Sequence, residues 1–447
     1  MNNNEKKVVT RFAPSPTGLL HVGNYRTAVF SYLFALQNNG KFVLRIEDTD
    51  KARSKKEYED NIIESLKWLN FKYDEFYRQS ERAGIHKKYL EKLISENKAY
   101  ISKEEVKEEG QRSEVIRFRN PNKKVKFNDM IRGDIEFDTT ELGDFIIAKS
   151  MDEPVFHLVV VVDDFEMGIT HVIRGEDHIS NTQRHILIQE AIGAPTPYYA
   201  HLPLVLSPDR SKLSKRKGAL AITEYRDRGY LPETMINGMA MLGWNPGTDQ
   251  EIFSLEELVK TFNISKVQKG GAIFNEDKLL WMNKEYIKRL PSERIFEEIK
   301  NRIPEKHRGD IEIIKKIQPV IIDRVSIWSD IDKMVSDGDL QYYFEKPKLS
   351  KEMMVWKKGG TEAEAKENLS IILPLLENIS EDNFTVESVK EAIWKTAEEK
   401  GRGNVLWPLR VSLSGKEKSP DPFILSGILG KTEVLARIKE SVEFLSK

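Results

Sequence analysis

The chain has no cysteine, which excludes disulfides, a cysteine-ligated zinc, an iron–sulfur cluster and a thiol nucleophile. No apolar run approaches the roughly 20 residues that a bilayer-spanning helix needs. The start, Met1-Asn2-Asn3-Asn4-Glu5-Lys6-Lys7, lacks the apolar centre of a signal peptide. Charge of one sign is missing too: 70 Lys and Arg stand against 71 Asp and Glu, a formal −1. The total therefore points to neither nucleic acid nor membrane, and an RNA-binding surface would have to come from local segregation of charge. A soluble cytoplasmic protein with no membrane partner is expected, its 447 residues sufficing for roughly two to four domains with real cores.

What is present begins with Arg11-Phe12-Ala13-Pro14-Ser15-Pro16-Thr17-Gly18-Leu19-Leu20-His21-Val22-Gly23-Asn24. Residues 8–12 read as a short buried strand. In the helix expected over 25–39, Tyr25, Ala28, Val29, Tyr32, Leu33 and Leu36 share one face, and Gly40 is the stop. A strand, a turn and a helix leave unpaired N–H groups at the helix mouth, beside His21 and Asn24, where a phosphate could bind. Gly18 and Gly23 clear side chains from that approach, and Pro14 and Pro16 stiffen it. An ordinary Pro/Gly loop with a surface histidine would look the same.

Residues 41–48 read as a second strand ending in Glu47, Asp48 and Asp50. In a parallel α/β sheet ligands bind at such carboxyl ends, so Glu47 is placed to meet a cation, or else it caps a helix. Amphipathic helices follow over 58–69 and 86–94. Between 102 and 138 the texture becomes β-rich, with Asn120-Pro121-Asn122 as the turn of a basic hairpin, either a solvated edge or a phosphate contact. Residues 145–148 and the uninterrupted apolar run 155–162 read as a return to the parallel sheet, the second as a strand buried on both faces. Asp163 and Asp164 close that run, as caps and salt-bridge partners rather than metal ligands, because no histidine or third acid stands at ligand spacing. Residues 171–175 form a further strand. Arg174 at its end could grip a carboxylate bidentately or serve as a structural partner for Asp163 or Glu176. A helix over 181–192 stops at Gly193. Five of the eight residues from Arg210 to Lys217 are basic, interleaved with Ser211 and Ser214 and closed by Gly218, a loop suited to polyphosphate or to a localisation signal.

Together, His21-Val22-Gly23-Asn24 and Lys212-Leu213-Ser214-Lys215-Arg216 resemble the HIGH and KMSKS signatures of class I aminoacyl-tRNA synthetases. The segments Arg11 to Gly18, Arg45-Ile46-Glu47-Asp48-Thr49-Asp50 and Val172-Ile173-Arg174-Gly175-Glu176-Asp177 are similar to the glutamyl branch, and the likeness runs nearly end to end. It implies activation of glutamate by ATP and transfer to the terminal adenosine of tRNA(Glu), with pyrophosphate exchange dependent on added tRNA. Magnesium would travel with ATP, and no zinc is expected. By the same likeness, His21 and Lys215 are catalytic and His21, Gly23, Lys212, Ser214 and Lys215 bind ATP. Arg11 and Arg174 take the glutamate side-chain carboxylate, Glu47 its α-ammonium, and Ser15 adds a polar contact. Arg410 is the tRNA-binding candidate. Two features depart from the pattern: Phe156 stands where the family often has tyrosine, and the insertion after Tyr100 is shortened and free of cysteine.

The implied architecture is α/β. A Rossmann-like catalytic domain (1–100 and 139–218) is interrupted by a small α+β acceptor-binding insertion (101–138). A stem-contact region (219–290) and an all-helical anticodon-binding domain (291–447) follow. Helical stripes such as Val325, Trp328, Ile331 and Val434, Leu435, Ile438, Val442, Leu445 argue for that last domain, and Gly401-Arg402-Gly403 with Trp407-Pro408-Leu409-Arg410 resemble its family pattern. The helical end speaks against glutaminyl-tRNA synthetase, whose anticodon domains are β-barrels, and against the shorter paralogue that lacks the domain. A non-discriminating enzyme that also charges tRNA(Gln) and a catalytically silent tRNA-binding relative remain as alternatives. A monomer is the family's usual form.

Overall fold

The computed structural model describes residues 7–105, 113–213 and 220–447, and the chain divides into two compact units, Met1–Tyr286 and Ile287–Lys447. In the first unit β1 (Val9–Phe12), α1 (Val22–Gln37), β2 (Lys41–Ile46), α2 (Lys56–Trp68) and β3 (Glu75–Arg78) alternate, and the strands pair in parallel in the order β1-β2-β3. Nearly every β1 and β2 residue is buried, as befits strands covered on both faces. Gly40 turns the chain from α1 into β2 against the Val8 carbonyl, which leaves no space for a Cβ. Leu36, expected on the buried face of α1, is exposed.

Next come α3 (Ala83–Ser95), β4 (Ala99–Lys103), β5 (Glu114–Phe118), β6 (Lys124–Asp129), β7 (Gly133–Asp138), β8 (Phe145–Ser150), β9 (Glu153–Pro154) and α4 (Phe156–Glu166). They are followed by β10 (His171–Gly175), α5 (Ile179–Ile192), β11 (Tyr198–Leu202) and β12 (Val205–Leu206). The unit closes with α6 (Ile222–Asp227), α7 (Pro232–Ala240), α8 (Leu255–Thr261), β13 (Ala272–Ile273) and α9 (Glu276–Lys288). Strand β10 starts beside β1, where the Thr170 N–H donates to Val9 O (3.0 Å) and the Val9 N–H to Thr170 Oγ1 (2.8 Å). The β1 connection leads through α1 to β2, while the β10 connection leads through α5 to its parallel neighbour β11. Between β1 and β10 the strand order reverses, so the crevice at their carboxyl ends is the expected ligand site.

Three expectations fail in this unit. The apolar run 155–162 is helix α4, not a strand: Leu158 through Asp164 are all buried, and a helix enclosed on every side carries no polar stripe to reveal its period. Residues 145–148 lie in β8, in an antiparallel sheet ordered β4-β5-β8-β9, rather than in the parallel sheet. The basic hairpin turning at Asn120-Pro121-Asn122 does not form either, because β5 and β6 belong to different sheets. Instead β6 pairs with β7 and touches β11 at Asp129–Tyr199. The β6 lysines are not a free basic edge, since Glu136 of β7 pairs with Lys124 (2.8 Å) and Lys126 (2.6 Å).

The second unit, among the described residues, is helical. It comprises α10 (Ser292–Arg302), α11 (Ile311–Arg324), α12 (Ser329–Ser336), α13 (Gln341–Phe344), α14 (Lys351–Met354), α15 (Glu362–Glu377), α16 (Val386–Lys400), α17 (Arg402–Ser414), α18 (Pro422–Leu429) and α19 (Lys431–Ser446). Its core is made by Leu369 and Ile372 of α15, Val389 and Ile393 of α16, Leu409 of α17 and Val434 and Ile438 of α19, all fully buried. Among the described residues no helix is long and apolar enough to cross a membrane.

Candidate active site

The carboxyl ends of β1 and β10, the start of α1 and the start of α4 enclose a cavity of about 520 Å³ within the first unit. Arg11, Ser15, His21, Gly23, Glu47, Arg174 and Lys212 all line it. Ser214 and Lys215 lie outside the described residues. Arg410 sits half-buried on α17, in the other unit.

At the α1 mouth His21 is the N-cap, and its Nδ1 accepts the Gly23 N–H at 3.2 Å. In the neutral ring the proton is then on Nε2, a donor suited to a phosphate oxygen. Gly23 has no room to spare, since a Cβ there would lie 3.2 Å from His21 Cε1. Arg26, one turn into α1, also lines the cavity and bonds the Leu242 carbonyl (3.3 Å) and the Pro203 carbonyl. Lys212 Nζ stands 3.8 Å from Asp177.

The acidic end of β2 divides by role. Asp48 accepts the Ser80 N–H (2.9 Å) and hydroxyl (2.6 Å), and Asp50 pairs with Arg53, so only Glu47 reaches the cavity. Glu47 caps no helix, because α2 starts at Lys56; its Oε1 accepts from Arg45 Nη2 at 3.0 Å. Burial pushes the Glu47 carboxyl up from its ordinary value, against the pull of Arg45 and Arg11. The α4 acids hold cations, as the sequence implied. Asp163 binds Arg82 (2.7 Å) and His86 (2.8 Å), and Asp164 Oδ1 accepts from Arg11 Nε (3.1 Å) and Arg45 Nη1 (2.7 Å). Burial opposes ionisation of Asp164, but Arg11 and Arg45 outweigh it and keep the carboxyl below its usual range.

Arg174 partners neither Asp163 nor Glu176, which is engaged by Arg132. Among the described residues no carboxylate lies within salt-bridge distance of Arg174, although only 6% of the residue is exposed. Its Nε donates to His201 Nε2 (3.1 Å), Nη1 meets His185 Nδ1 (3.1 Å), and Nη2 donates to Thr182 Oγ1 (2.8 Å) and the His178 carbonyl (3.3 Å). His201 in turn holds Asp129 through Nδ1 (2.6 Å), and His185 Nε2 meets His157 Nδ1 (3.3 Å). Burial lowers all of these imidazoles, with His157 and His178 at about 4 and His185 well below its ordinary value, so they are neutral at pH 7, and the His201 and His185 rings accept from Arg174. Burial also lowers Arg174 itself, to about 10, which leaves it cationic. Phe156 completes this wall, its ring 5.5–5.8 Å from those of His157, His178 and His185.

The sequence does not display this histidine shell as a unit. Two clues were available: a histidine inside the otherwise apolar β11, and histidines seven residues apart at 178 and 185, on one side of a helix.

Against known protein families, residues 7–112 and 101–281 match the model of the catalytic domain of class I tRNA synthetases (E and Q). The chain belongs to this family. The model of the anticodon binding domain matches residues 284–442 of the same synthetase chain. A glutamate–tRNA ligase of Aquifex aeolicus (strain VF5) is 41% identical over 98% of this chain and 100% of its own length. One of Thermodesulfovibrio yellowstonii is 38% identical, covering 98% and 99%. Among solved structures, a glutamate tRNA ligase from Elizabethkingia meningosepticum, crystallised in complex with its amino acid, superposes with a TM-score of 0.84. It is 34% identical and covers 98% of this synthetase and 100% of that chain. The class I catalytic domain and the helical C-terminal unit are thus those the sequence resemblance implied.

Proposed function

We propose that the chain is a glutamate–tRNA ligase that forms glutamyl-adenylate in the β1/β10 crevice and passes the glutamyl group to tRNA(Glu). The observation that carries this reading is Arg174, a buried guanidinium whose hydrogen-bond partners are neutral and which, among the described residues, has no carboxylate within salt-bridge distance. Such a cation calls for an anionic ligand. Arg11 faces the same cavity, so the pair suits the substrate side-chain carboxylate, with Ser15 beside it and Glu47 for the α-ammonium. Within the buried cluster around Glu47, Arg11, Arg45 and Arg174 carry three positive charges against the two of Asp164 and Glu47. Glutamate, with one net negative charge, balances the site; glutamine leaves the excess cation unmatched.

In the first step an α-carboxylate oxygen of glutamate attacks the α-phosphorus of ATP, and the bond to the bridging oxygen of pyrophosphate breaks. In-line placement and charge neutralisation are what such a reaction needs from the protein. His21 donates to a phosphate oxygen at the α1 mouth, and Gly23 admits the phosphate to backbone N–H groups. Lys215 balances charge on the departing pyrophosphate, and Lys212 and Ser214 bind ATP, in line with the family motif. In the second step a ribose hydroxyl of the tRNA terminus takes the glutamyl group and AMP leaves. We assign the stem contact to 219–290 and the anticodon contact to 291–447, with Arg410 as a tRNA ligand. The protein would act in the cytoplasm as a monomer.

Gly23→Ala is expected to displace the His21 ring at an off-rotamer cost of about 0.5–1.5 kcal/mol. Adenylate formation should then slow by about two- to tenfold; unchanged ATP kinetics would contradict the placement of His21. The metal belongs to the substrate, as MgATP. Among the described residues no cluster of three or more His, Asp or Glu has metal-binding geometry, and we propose that no zinc is needed. Activity lost on prolonged chelation should return fully with magnesium, whereas a loss reversed only by zinc would refute this. Aminoacylation of purified tRNA(Glu) and tRNA(Gln) tests the function itself. Charging of tRNA(Glu) with glutamate is expected, charging of both would identify a non-discriminating enzyme, and charging of neither would overturn the proposal.

A further inference from the structure

Arg45 lies on β2 with none of its surface exposed and is not part of the cavity wall. Its guanidinium nevertheless connects both sides of the amino-acid pocket. Nη2 donates to Glu47 Oε1 at 3.0 Å, and Nη1 donates to Asp164 Oδ1 at 2.7 Å, the same oxygen that accepts Arg11 Nε at 3.1 Å. The outcome is an alternating chain, Arg11–Asp164–Arg45–Glu47, drawn from β1, α4 and β2. Its two ends are cavity residues and its two centres fix them.

We propose that Arg45 is a positioning residue: one buried guanidinium holds Glu47 in place as a carboxylate for the substrate ammonium and, through Asp164, holds Arg11 for the substrate carboxylate. The inference rests on the assignment of Glu47 to the ammonium. Removing a planar two-pronged donor from between two buried carboxylates leaves each short of a hydrogen bond and of a counter-charge. The charged groups facing Glu47 are Arg45 of β2, Arg11 of β1, Asp164 of α4 and Arg174 of β10. Burial raises Glu47, Arg45 is the strongest influence opposing that rise, and Asp164 adds to it. Without Arg45 the Glu47 carboxyl therefore takes up a proton at higher pH than in the parent, and a protonated carboxyl no longer pairs with an ammonium.

The test is Arg45→Met in the full-length protein, with glutamate-dependent pyrophosphate exchange measured in the presence of tRNA between about pH 6 and 8.5. The KM for glutamate should rise by about ten- to a hundredfold, as when a charge-assisted hydrogen bond is lost, with the KM for ATP unchanged. In addition, kcat/KM for glutamate should gain an acid limb displaced upward from the parent, and that limb should vanish in Arg45→Met/Glu47→Gln. A pH-independent loss that raises both KM values alike would overturn the inference. Glu47→Gln alone separates the two readings. If it leaves the KM for glutamate unchanged, the ammonium assignment fails and the inference falls with it. If it raises that KM while Arg45→Met shows no new acid limb, only the inference fails. Should Arg45→Met not fold, Arg45→Lys decides. It keeps the charge but not the fork, so the KM for glutamate should rise without a displaced limb, and an unchanged KM would overturn the proposal.

Discussion

Replacing Arg174 with leucine is expected to raise the KM for glutamate by roughly 10²- to 10⁴-fold, with the KM for ATP within about twofold of the parent. Removing one member of a buried ion pair costs about 3–5 kcal/mol, and here the missing member is the protein's half of the contact with the substrate. The effect should be confined to the amino acid, because the partners of Arg174 are His201, His185, Thr182 and the His178 carbonyl, none of them at the α1 mouth. Stability should not fall in step. Burial disfavours the Arg174 cation, and Asp164 and Glu47 offset it only from beyond salt-bridge distance, so an apolar side chain relieves a cost even as it takes a donor from His185 and His201. Arg174→Lys should behave almost as badly as leucine, since a single ammonium nitrogen cannot reproduce the planar fork whose three nitrogens reach His201, His185 and Thr182. Glutamine at high concentration should compete better in Arg174→Leu than in the parent. Steady-state exchange with each amino acid, alongside a thermal midpoint, reads all of this; equal changes in the glutamate and ATP constants would count against the assignment.

His21→Ala is expected to lower kcat for adenylate formation by about 10²- to 10³-fold, the usual effect of deleting one preorganised donor to a developing charge. The KM for glutamate should hardly move. The ring has a second task, because its Nδ1 caps the Gly23 N–H, and losing a cap costs about 1 kcal/mol of stability. His21→Asn separates the two roles. The amide oxygen can still cap α1, so stability should recover while the rate does not. Recovery of the rate in the asparagine variant would show that His21 serves the helix and not the phosphate.

What could be read from the sequence depended on whether the chemistry was contiguous. Arg11, Ser15, His21 and Gly23 fall within one strand–turn–helix stretch, and the strand and helix periods that frame them are written locally. Glu47 and Arg174 were legible because each closes a short apolar strand. Helix α4 was not legible, since valines buried on all sides carry neither period and β-branched residues favour the strand reading. Nor was the histidine shell, whose members come from α4, α5 and β11 and meet only around Arg174. Arg45 stood in plain view within an apolar strand, yet its partner Asp164 lies 119 residues away, a distance over which no spacing rule operates. Asn120-Pro121-Asn122 misled for a different reason: turn chemistry marks a change of direction, not which strands pair after it.

Charge is the property by which this cavity is proposed to select an acid. The most direct test is pyrophosphate exchange in the presence of tRNA, with glutamate and glutamine compared at equal concentration in the parent protein. Exchange with glutamate and none above background with glutamine is predicted. Exchange driven equally by glutamine, or no exchange with glutamate under any tRNA, would contradict it.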